Sequence, residues 1–157
     1  MVLRNLVLAL GVATAGLSAQ EVGAKSLTLA VGVGPKNSIT LTMQGFADYM
    51  AEHTDIDIKI YPLSLLNLKE TPPGLRDGLA DIGFVLTPYY PAEYSEMNLA
   101  ANLGMLSTAG VQVASPGAAI AGAMSEYVLN CPECLAEFKA QKQVYLGSGI
   151  GSTYMML

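Results

Sequence analysis

The sequence predicts an α/β fold built on an open, mostly parallel sheet. Between residues 26 and 86, strand and helix patterns alternate in the order strand, helix, strand, helix, strand, which is typical of parallel strands joined by right-handed crossovers. The last of these strands, residues 81–86 (DIGFVL), is apolar without polar alternation, as expected of a central strand covered on both faces. In such domains, ligands bind at the loops that follow the carboxyl ends of the strands.

The first predicted strand, residues 26–33 (SLTLAVGV), alternates at first and then becomes fully apolar, which favours a strand that enters a buried sheet. The segment GPKN ends it. Ser38 is then a candidate N-cap for a helix with one apolar face. The residues that recur on that face are Ile39, Met43, Phe46 and Met50.

The second predicted strand, residues 55–61 (DIDIKIY), places isoleucines on one face and charged side chains on the other. This alternation indicates a half-exposed strand near a sheet edge. Pro62 ends the strand.

A short helix follows, with Thr71 as its predicted cap and two prolines in its first turn. Leu75 and Leu79 lie four residues apart and are expected to share its buried face. Gly78 marks the position where this helix is expected to unwind.

The periodicity of apolar and polar residues is weaker beyond residue 94. Residues 98–124 are rich in alanine and glycine and predict a short strand and a helix that starts near Pro116. The segment CPECLAEFKAQ predicts a further helix. The side chains expected to face inward on this helix are Leu135 and Phe138, and those expected to face outward are Glu137 and Lys139. Residues 143–150 then alternate as a strand, with Val144 and Leu146 on one face.

The first residues have the layout of a secretory signal peptide, with Arg4 near the start, an uncharged apolar run over residues 6–19 and small residues after it. An uncleaved membrane anchor is the alternative, but the run is shorter than the roughly 20 residues that span a bilayer. We therefore expect residues 1–24 to be a cleaved signal peptide and residues 25–157 to be an exported, soluble domain.

Composition excludes some classes of function. The chain has a formal net charge of -5, and 52% of its residues are hydrophobic, so it is predicted to be globular and not to bind nucleic acid. His53 is the only histidine, which excludes a histidine-based metal cluster. It is expected to lie solvated at a helix end. The segment GSGIGS lacks the lysine of a phosphate-binding loop. We predict no catalytic residue, metal or cofactor.

Cys131 and Cys134 form a C-x-x-C pair. In an exported protein this spacing favours a local disulfide at the start of a helix, and unpaired thiols or a thioredoxin-like redox site are the alternatives. A zinc site would need two carboxylate ligands in addition.

Three tyrosines, Tyr89, Tyr90 and Tyr94, lie in a proline-bounded loop after the third predicted strand. Aromatic side chains in this position can close over a ligand, and they can equally pack the loop against its own domain. The sequence leaves both alternatives open.

Three segments resemble a known family, the extracytoplasmic solute-binding proteins of tripartite ATP-independent periplasmic (TRAP) transporters, often of dicarboxylate type. These segments are YPLSLLN, LRDGLADIGFVLTPYYPAEY and QVYLGSGIGSTYMML. The resemblance extends from about Lys25 to the end of the chain. It implies a lobe of class II periplasmic binding protein type. It also implies a periplasmic protein without catalytic activity, which captures a small organic acid and delivers it to membrane subunits.

Members of this family are generally about twice as long as this chain, and they carry an arginine that pairs with the ligand carboxylate soon after the last matching strand. The resemblance therefore implies that residues 25–157 are an incomplete first lobe and that the second lobe is missing. Arg76 is expected on a helix away from the crevice, and Lys36 is expected to be a solvent-exposed lysine.

The resemblance implies ligand-binding residues in three crevice loops. They are Gly32, Gly34 and Pro35 in the first loop, Thr87, Pro88 and Tyr89 in the second, and Gly149, Ser152 and Tyr154 in the third. Glycines allow close backbone approach, and hydroxyl groups orient a polar ligand.

The sequence is also compatible with three other interpretations. A binding protein of an ATP-driven importer would share the lobe and differ in its partner. A periplasmic thiol–disulfide protein built on the C-x-x-C pair belongs to a different class. A relic of a truncated gene that no longer binds a ligand is a further alternative.

Overall fold

Three parallel strands form the sheet of the computed structural model, which describes residues 25–103 and 114–148. Strand β1 (Lys25–Val31) lies between β2 (Ile56–Pro62) and β3 (Ile82–Gly83). The register runs from Lys25 opposite Ile56 to Val31 opposite Pro62, and it places Leu29 and Ala30 opposite β3. The predicted α/β class with an open parallel sheet is confirmed.

The third strand differs from its prediction. β3 has two residues, and among the described strands it is β1 that lies in the centre. One further ladder bond, from Phe84 N to Ala30 O (3.2 Å), follows β3 before the chain leaves the sheet. The residues of β1 that meet both neighbours, Leu29 and Ala30, are fully buried, whereas those of β3 are half-buried. Within the described sheet, the central position, the burial on both faces and the length predicted for this strand are therefore wrong.

Helix α1 (Ser38–His53) covers one face of the sheet. Its core residue Ala47 packs with Leu29, Val31 and Ile58 of the strands. The four residues of its predicted apolar face, Ile39, Met43, Phe46 and Met50, all pack against this first core cluster, as predicted.

The cap of α1 is Asn37, not the predicted Ser38. The Asn37 side chain accepts a hydrogen bond from the backbone N–H of Ile39 (2.9 Å), and its backbone is extended, as expected at a cap. Both residues are good caps, and only the backbone conformation distinguishes them.

The prediction for β2 is confirmed. It is an edge strand of the described sheet, with Ile58 buried in the core and Asp57 and Lys59 exposed on the other face.

Helix α2 (Thr71–Arg76) has no side-chain cap, so the role predicted for Thr71 is wrong. Thr71 is buried, and its hydroxyl donates to the carbonyl of Asn67 (2.8 Å). Leu79 is 60% exposed and does not share the buried face of Leu75. The reason is Gly78, whose φ of 78° ends the helical path before Leu79, as its predicted position implied.

Three further helices, α3 (Ser95–Leu103), α4 (Pro116–Leu129) and α5 (Pro132–Ala140), form a second core cluster with the loop after β3. The buried members of this helical core are Tyr94, Val128, Cys134 and Phe138. The start of α4 at Pro116 and the inward positions of Leu135 and Phe138 are confirmed. Helix α3 was not predicted. The short strand expected within residues 98–124 is not formed at 98–103 or 114–124, and residues 104–113 lie outside the described residues.

The prediction that Glu137 faces outward is wrong, whereas Lys139 is exposed as expected. Glu137 is half-buried because its carboxylate accepts hydrogen bonds from the first turn of α3. The donors are the hydroxyl of Ser95 and the backbone N–H groups of Glu96 and Met97.

The strand predicted for residues 143–150 is not formed over its described part, 143–148. Val144 and Leu146 are 83% and 70% exposed. The alternation is present, but the inward side chains are Gln143, which is hydrogen-bonded, and Tyr145, whose ring lies 5.3 Å from that of Phe138. The signal peptide predicted at residues 1–24 lies outside the described residues. None of the described helices combines the length and apolar character that crossing a membrane requires.

Candidate functional site

The loops that follow the three strands leave the sheet on the same side. Because the strands are parallel and in register, residues 32–37, 63–70 and 84–90 all lie at the carboxyl ends of the strands. These loops form the candidate site, the carboxyl edge. Two of them contain the predicted residues Gly32, Gly34 and Pro35, and Thr87, Pro88 and Tyr89. The other three predicted residues, Gly149, Ser152 and Tyr154, lie outside the described residues.

Gly32 is required by the packing of two loops. A Cβ atom at this buried position would lie 2.4 Å from the backbone nitrogen of Leu68 and 2.7 Å from the carbonyl carbon of Asn67. Both distances are far shorter than a nonbonded contact allows. Gly32 therefore lets loop 63–70 lie directly against the end of β1, and its lack of a side chain is accounted for by this contact.

Gly34 and Pro35 lie further out on the same loop. A Cβ atom at Gly34 would meet no atom within 4 Å, and Pro35 is exposed. The carbonyl of Gly34 is occupied, because it accepts hydrogen bonds from the Thr40 hydroxyl (2.9 Å) and the Asn37 N–H (3.0 Å). The first loop is thus anchored to the start of α1 and leaves space next to Gly34.

The loop after β3 begins with Thr87, which is buried and opens a 3-10 turn (Thr87–Tyr89). Its carbonyl accepts hydrogen bonds from Tyr90 N–H and from the side-chain amide of Asn98 (3.1 Å). Pro88 and Tyr89, the other two predicted residues, are exposed.

The structure separates the three tyrosines of this loop. Tyr94 is fully buried in the helical core, with its ring 5.2 Å from that of Phe138. Tyr90 is half-buried, and its hydroxyl donates to the backbone carbonyl of Lys69. Tyr89 is 47% exposed and is the tyrosine of this loop that a ligand at the carboxyl edge would meet.

Lys69 is a residue of the carboxyl edge that the sequence did not single out. Its ammonium nitrogen lies 5.6 Å from the centre of the Tyr89 ring, within the range of a cation–π contact. Its backbone is held at both ends, because its N–H donates to the side chain of Asn67 (2.9 Å) and its carbonyl accepts from Tyr90. The spacing of Asn67 and Lys69 is a local turn signal, but nothing in the sequence indicates the contact with Tyr89.

The carboxyl edge carries positive charge. Lys69 and Lys36 are both exposed on its loops. Within residues 25–103 and 114–148, the one ion pair joins Arg76 and Asp77 (3.1 Å), so neither lysine has a carboxylate partner among them. Glu70 is also exposed on loop 63–70, and its carboxylate accepts a hydrogen bond from the backbone N–H of Asn67 (3.0 Å). Two lysines and one glutamate leave the three loops with a net positive charge. This arrangement can attract an anion to the loops.

His53 does not belong to the carboxyl edge. His53 is exposed at the last residue of α1, where its ring stacks on that of Tyr49 with 4.0 Å between centres. Among the described residues, no three histidine, cysteine, aspartate or glutamate side chains form a group that could hold a metal ion.

Cys131 and Cys134 form a disulfide in the structure, with 5.3 Å between their Cα atoms. It lies at the start of α5 and belongs to the helical part of the chain, not to the carboxyl edge.

No family model and no curated protein matches the sequence. Among solved structures, the chain is similar to a TRAP periplasmic solute binding protein from Desulfovibrio salexigens DSM2638, determined as an open complex. The two share 25% sequence identity with a TM-score of 0.46. The match covers 48% of this chain and 25% of that protein, so the chain spans about a quarter of the solved structure.

Proposed function

We propose that residues 25–157 are the first lobe of an extracytoplasmic solute-binding protein that captures a small organic acid for a TRAP-type transporter. The observation that carries this proposal is the position of Lys69, an exposed ammonium group above Tyr89 at the carboxyl ends of parallel strands. This is the edge at which open α/β domains bind their ligands. The resemblance of the three sequence segments supports the choice of family.

In this proposal, Lys69 contributes the charge that recognises a carboxylate. An ammonium group is a compact charge with three hydrogen-bond donors and adapts to either carboxylate oxygen. Tyr89 supplies an apolar wall and a hydroxyl group next to it. Gly34, Pro35 and Pro88 are the neighbouring residues on the other predicted loops, and Gly149, Ser152 and Tyr154 remain proposed members of a third loop.

The proposal also includes the parts that the resemblance implied. Residues 1–24 direct export to the periplasm, a second lobe closes over the ligand, and the membrane subunits of the transporter receive it. Closure removes water, and the contact between the ammonium and carboxylate groups strengthens as the local dielectric constant falls. The protein binds the organic acid and does not transform it.

A single open lobe leaves this contact in water, so we expect weak binding, with a dissociation constant on the order of millimolar. The test is a titration of the 157-residue chain with succinate, followed by nuclear magnetic resonance of the backbone amides. Shifts should concentrate in residues 32–37, 63–70 and 84–90. Uncharged succinamide should cause little change.

The variant Lys69→Met keeps the apolar stem of the side chain and removes its charge. It should abolish the succinate-dependent shifts, whereas Lys139→Met, at an exposed lysine on α5, should leave them unchanged. Because the contact is exposed, binding should also weaken as salt is raised. Shifts that lie outside the carboxyl edge, or that survive Lys69→Met, would contradict the proposal.

A further inference from the structure

The two cysteines of the disulfide differ in burial. Cys134 is fully buried in the helical core. Cys131 is half-buried and lines a surface depression at the junction of α4 and α5. The other residues that line this depression are Glu126, Tyr127, Asn130, Pro132 and Glu133. Cys131 therefore lines the depression while it also packs against the helical core, whereas Cys134 is not among the lining residues.

The start of α5 also suits Cys131 to carry negative charge. Cys131 is the N-cap of this nine-residue helix, and its sulfur accepts a hydrogen bond from the backbone N–H of Cys134 (3.1 Å). A helix N-terminus and a directed N–H group both stabilise a thiolate, which is the reactive form of cysteine.

The rim of the depression is acidic. Glu126 and Glu133 are exposed on either side of Cys131 in the sequence, and both line the same depression. Their charges favour the approach of a positively charged molecule and oppose that of an anion.

We propose that the Cys131–Cys134 disulfide is a redox-active site that exchanges with small thiols through Cys131 and favours thiols that carry an amino group. The combination of a fully buried Cys134, a half-buried Cys131 that starts a helix and lines a depression, and an acidic rim points to this activity. It is independent of the solute-binding proposal, because the disulfide is not part of the carboxyl edge.

The exchange proceeds in two steps. An aminothiolate attacks the sulfur of Cys131, the bond between the two cysteines breaks, and its electron pair goes to the sulfur of Cys134, which takes up a proton. A second aminothiolate attacks the aminothiol sulfur of the mixed disulfide and releases Cys131 as a thiolate. Two electrons thus pass to the protein, and two aminothiols are oxidised to their disulfide.

The first test uses the wild-type protein. After reduction with cysteamine and removal of the thiol, brief treatment with iodoacetamide and peptide mass spectrometry should show Cys131 labelled on the order of tenfold faster than Cys134. Equal labelling, or faster labelling of Cys134, would overturn the proposal. A disulfide that stays intact in excess cysteamine would overturn it as well.

The second test uses two single-cysteine variants. With cystamine, the disulfide of cysteamine, Cys134→Ala should form a mixed disulfide at Cys131 quickly, and Cys131→Ala should react slowly at the buried Cys134. Circular dichroism checks that each variant is folded. If a variant does not fold, the comparison of Cys131 and Cys134 rests on the iodoacetamide labelling of the wild-type protein.

The acidic rim is tested separately by comparing cystamine with uncharged 2-hydroxyethyl disulfide. Cystamine also has the better leaving group, so the informative quantity is the ratio of the two rates in Cys134→Ala with and without the rim. The added substitutions Glu126→Gln and Glu133→Gln should lower this ratio a few-fold. A ratio that the two substitutions leave unchanged would show that the rim does not select the thiol.

Discussion

The carboxylate oxygen Oδ2 of Asp81 accepts two hydrogen bonds from Thr28, one from its backbone N–H and one from its hydroxyl group, each 2.8 Å long. In return, the backbone N–H of Asp81 donates to the hydroxyl and the carbonyl oxygen of Thr28, both at 3.1 Å. This exchange joins the start of β3 to β1. The bonds from the Thr28 backbone and then from its side chain hold the pKa of Asp81 below its ordinary value of 3.8.

Replacement of Thr28 should therefore weaken the junction of β1 and β3. Thr28→Val suits a strand but removes the hydroxyl, and we expect a loss of about 1 kcal/mol in the free energy of unfolding near neutral pH, since the site is exposed. Urea denaturation measures this change. An unchanged free energy of unfolding would show that the hydroxyl contributes nothing.

The contribution of Asp81 should depend on pH. Its pKa is lower in the folded chain than in the unfolded chain, so its bonds stabilise the fold fully above about pH 5. This stability is lost as the pH falls through the folded pKa, below 3.8. The difference between wild type and Thr28→Val should shrink over the same range. Asp57→Asn, at an exposed carboxylate on β2, is the control. In this background, the effect of Thr28→Val on the free energy of unfolding should show the same pH dependence.

Gly32 and Gly34 provide a matched pair for the loop contact at the carboxyl edge. Gly32→Ala would place a Cβ atom against the backbone of Asn67 and Leu68, and we expect a loss of about 1–3 kcal/mol with displacement of loop 63–70. Gly34→Ala meets no atom within 4 Å and should change stability little. Thermal unfolding compares the two. Equal effects would mean that the two loops do not touch.

Glu137 should stabilise the start of α3. Glu137→Ala removes the acceptors of the Ser95 hydroxyl and of two backbone N–H groups, and we expect a loss of about 1–2 kcal/mol. Hydrogen exchange should become faster at Glu96 and Met97. Glu126→Ala, at an exposed glutamate of α4, is the control. Similar exchange rates in both variants would contradict the capping role.

Tyr94 connects the helical core to α2. Its hydroxyl donates to Gln143 (2.8 Å), whose amide nitrogen donates to the carbonyl of Pro72 (2.9 Å). Tyr94→Phe leaves the Gln143 oxygen without this donor and should cost about 1 kcal/mol. Urea denaturation measures the cost, and Tyr127→Phe, at an exposed tyrosine, is the control.

Burial is the main cause that raises the pKa of Tyr94 above its ordinary value of 10.0, although the bond with Gln143 acts in the opposite direction. The neutral hydroxyl therefore contributes stability that is complete below pH 10 and is lost as the pH rises through the folded pKa. Wild type should lose more stability than Tyr94→Phe at high pH. Parallel loss in both proteins would exclude Tyr94 as the cause.

Local periodicity predicted the elements whose two faces differ clearly. The alternation around Ile58 predicted β2 as an edge strand, and the spacing from Ile39 to Met50 predicted the buried face of α1. Periodicity failed at residues 143–148, where Val144 and Leu146 are exposed, because Tyr145 and Gln143 make the stronger contacts from the opposite face.

The candidate site was predictable only in part. Strand order along the chain predicted that the loops containing Gly32 and Tyr89 lie at the ends of strands. It did not predict that loop 63–70 contacts both of these loops, nor that Lys69 is its charged residue. That contact depends on Gly32, which permits two backbones to touch, and on Tyr90, which holds the carbonyl of Lys69.

By itself, the sequence determined the fold class, the apolar faces of α1 and β2, and the breaks at Pro62 and Gly78, because side-chain periodicity and backbone restriction act over a few neighbouring residues. The tertiary structure alone decided that β1 lies between the other described strands, that Glu137 caps α3, and that Lys69 lies over Tyr89. These contacts join residues that are distant in the chain. They depend on strand register and helix packing, which no local pattern specifies.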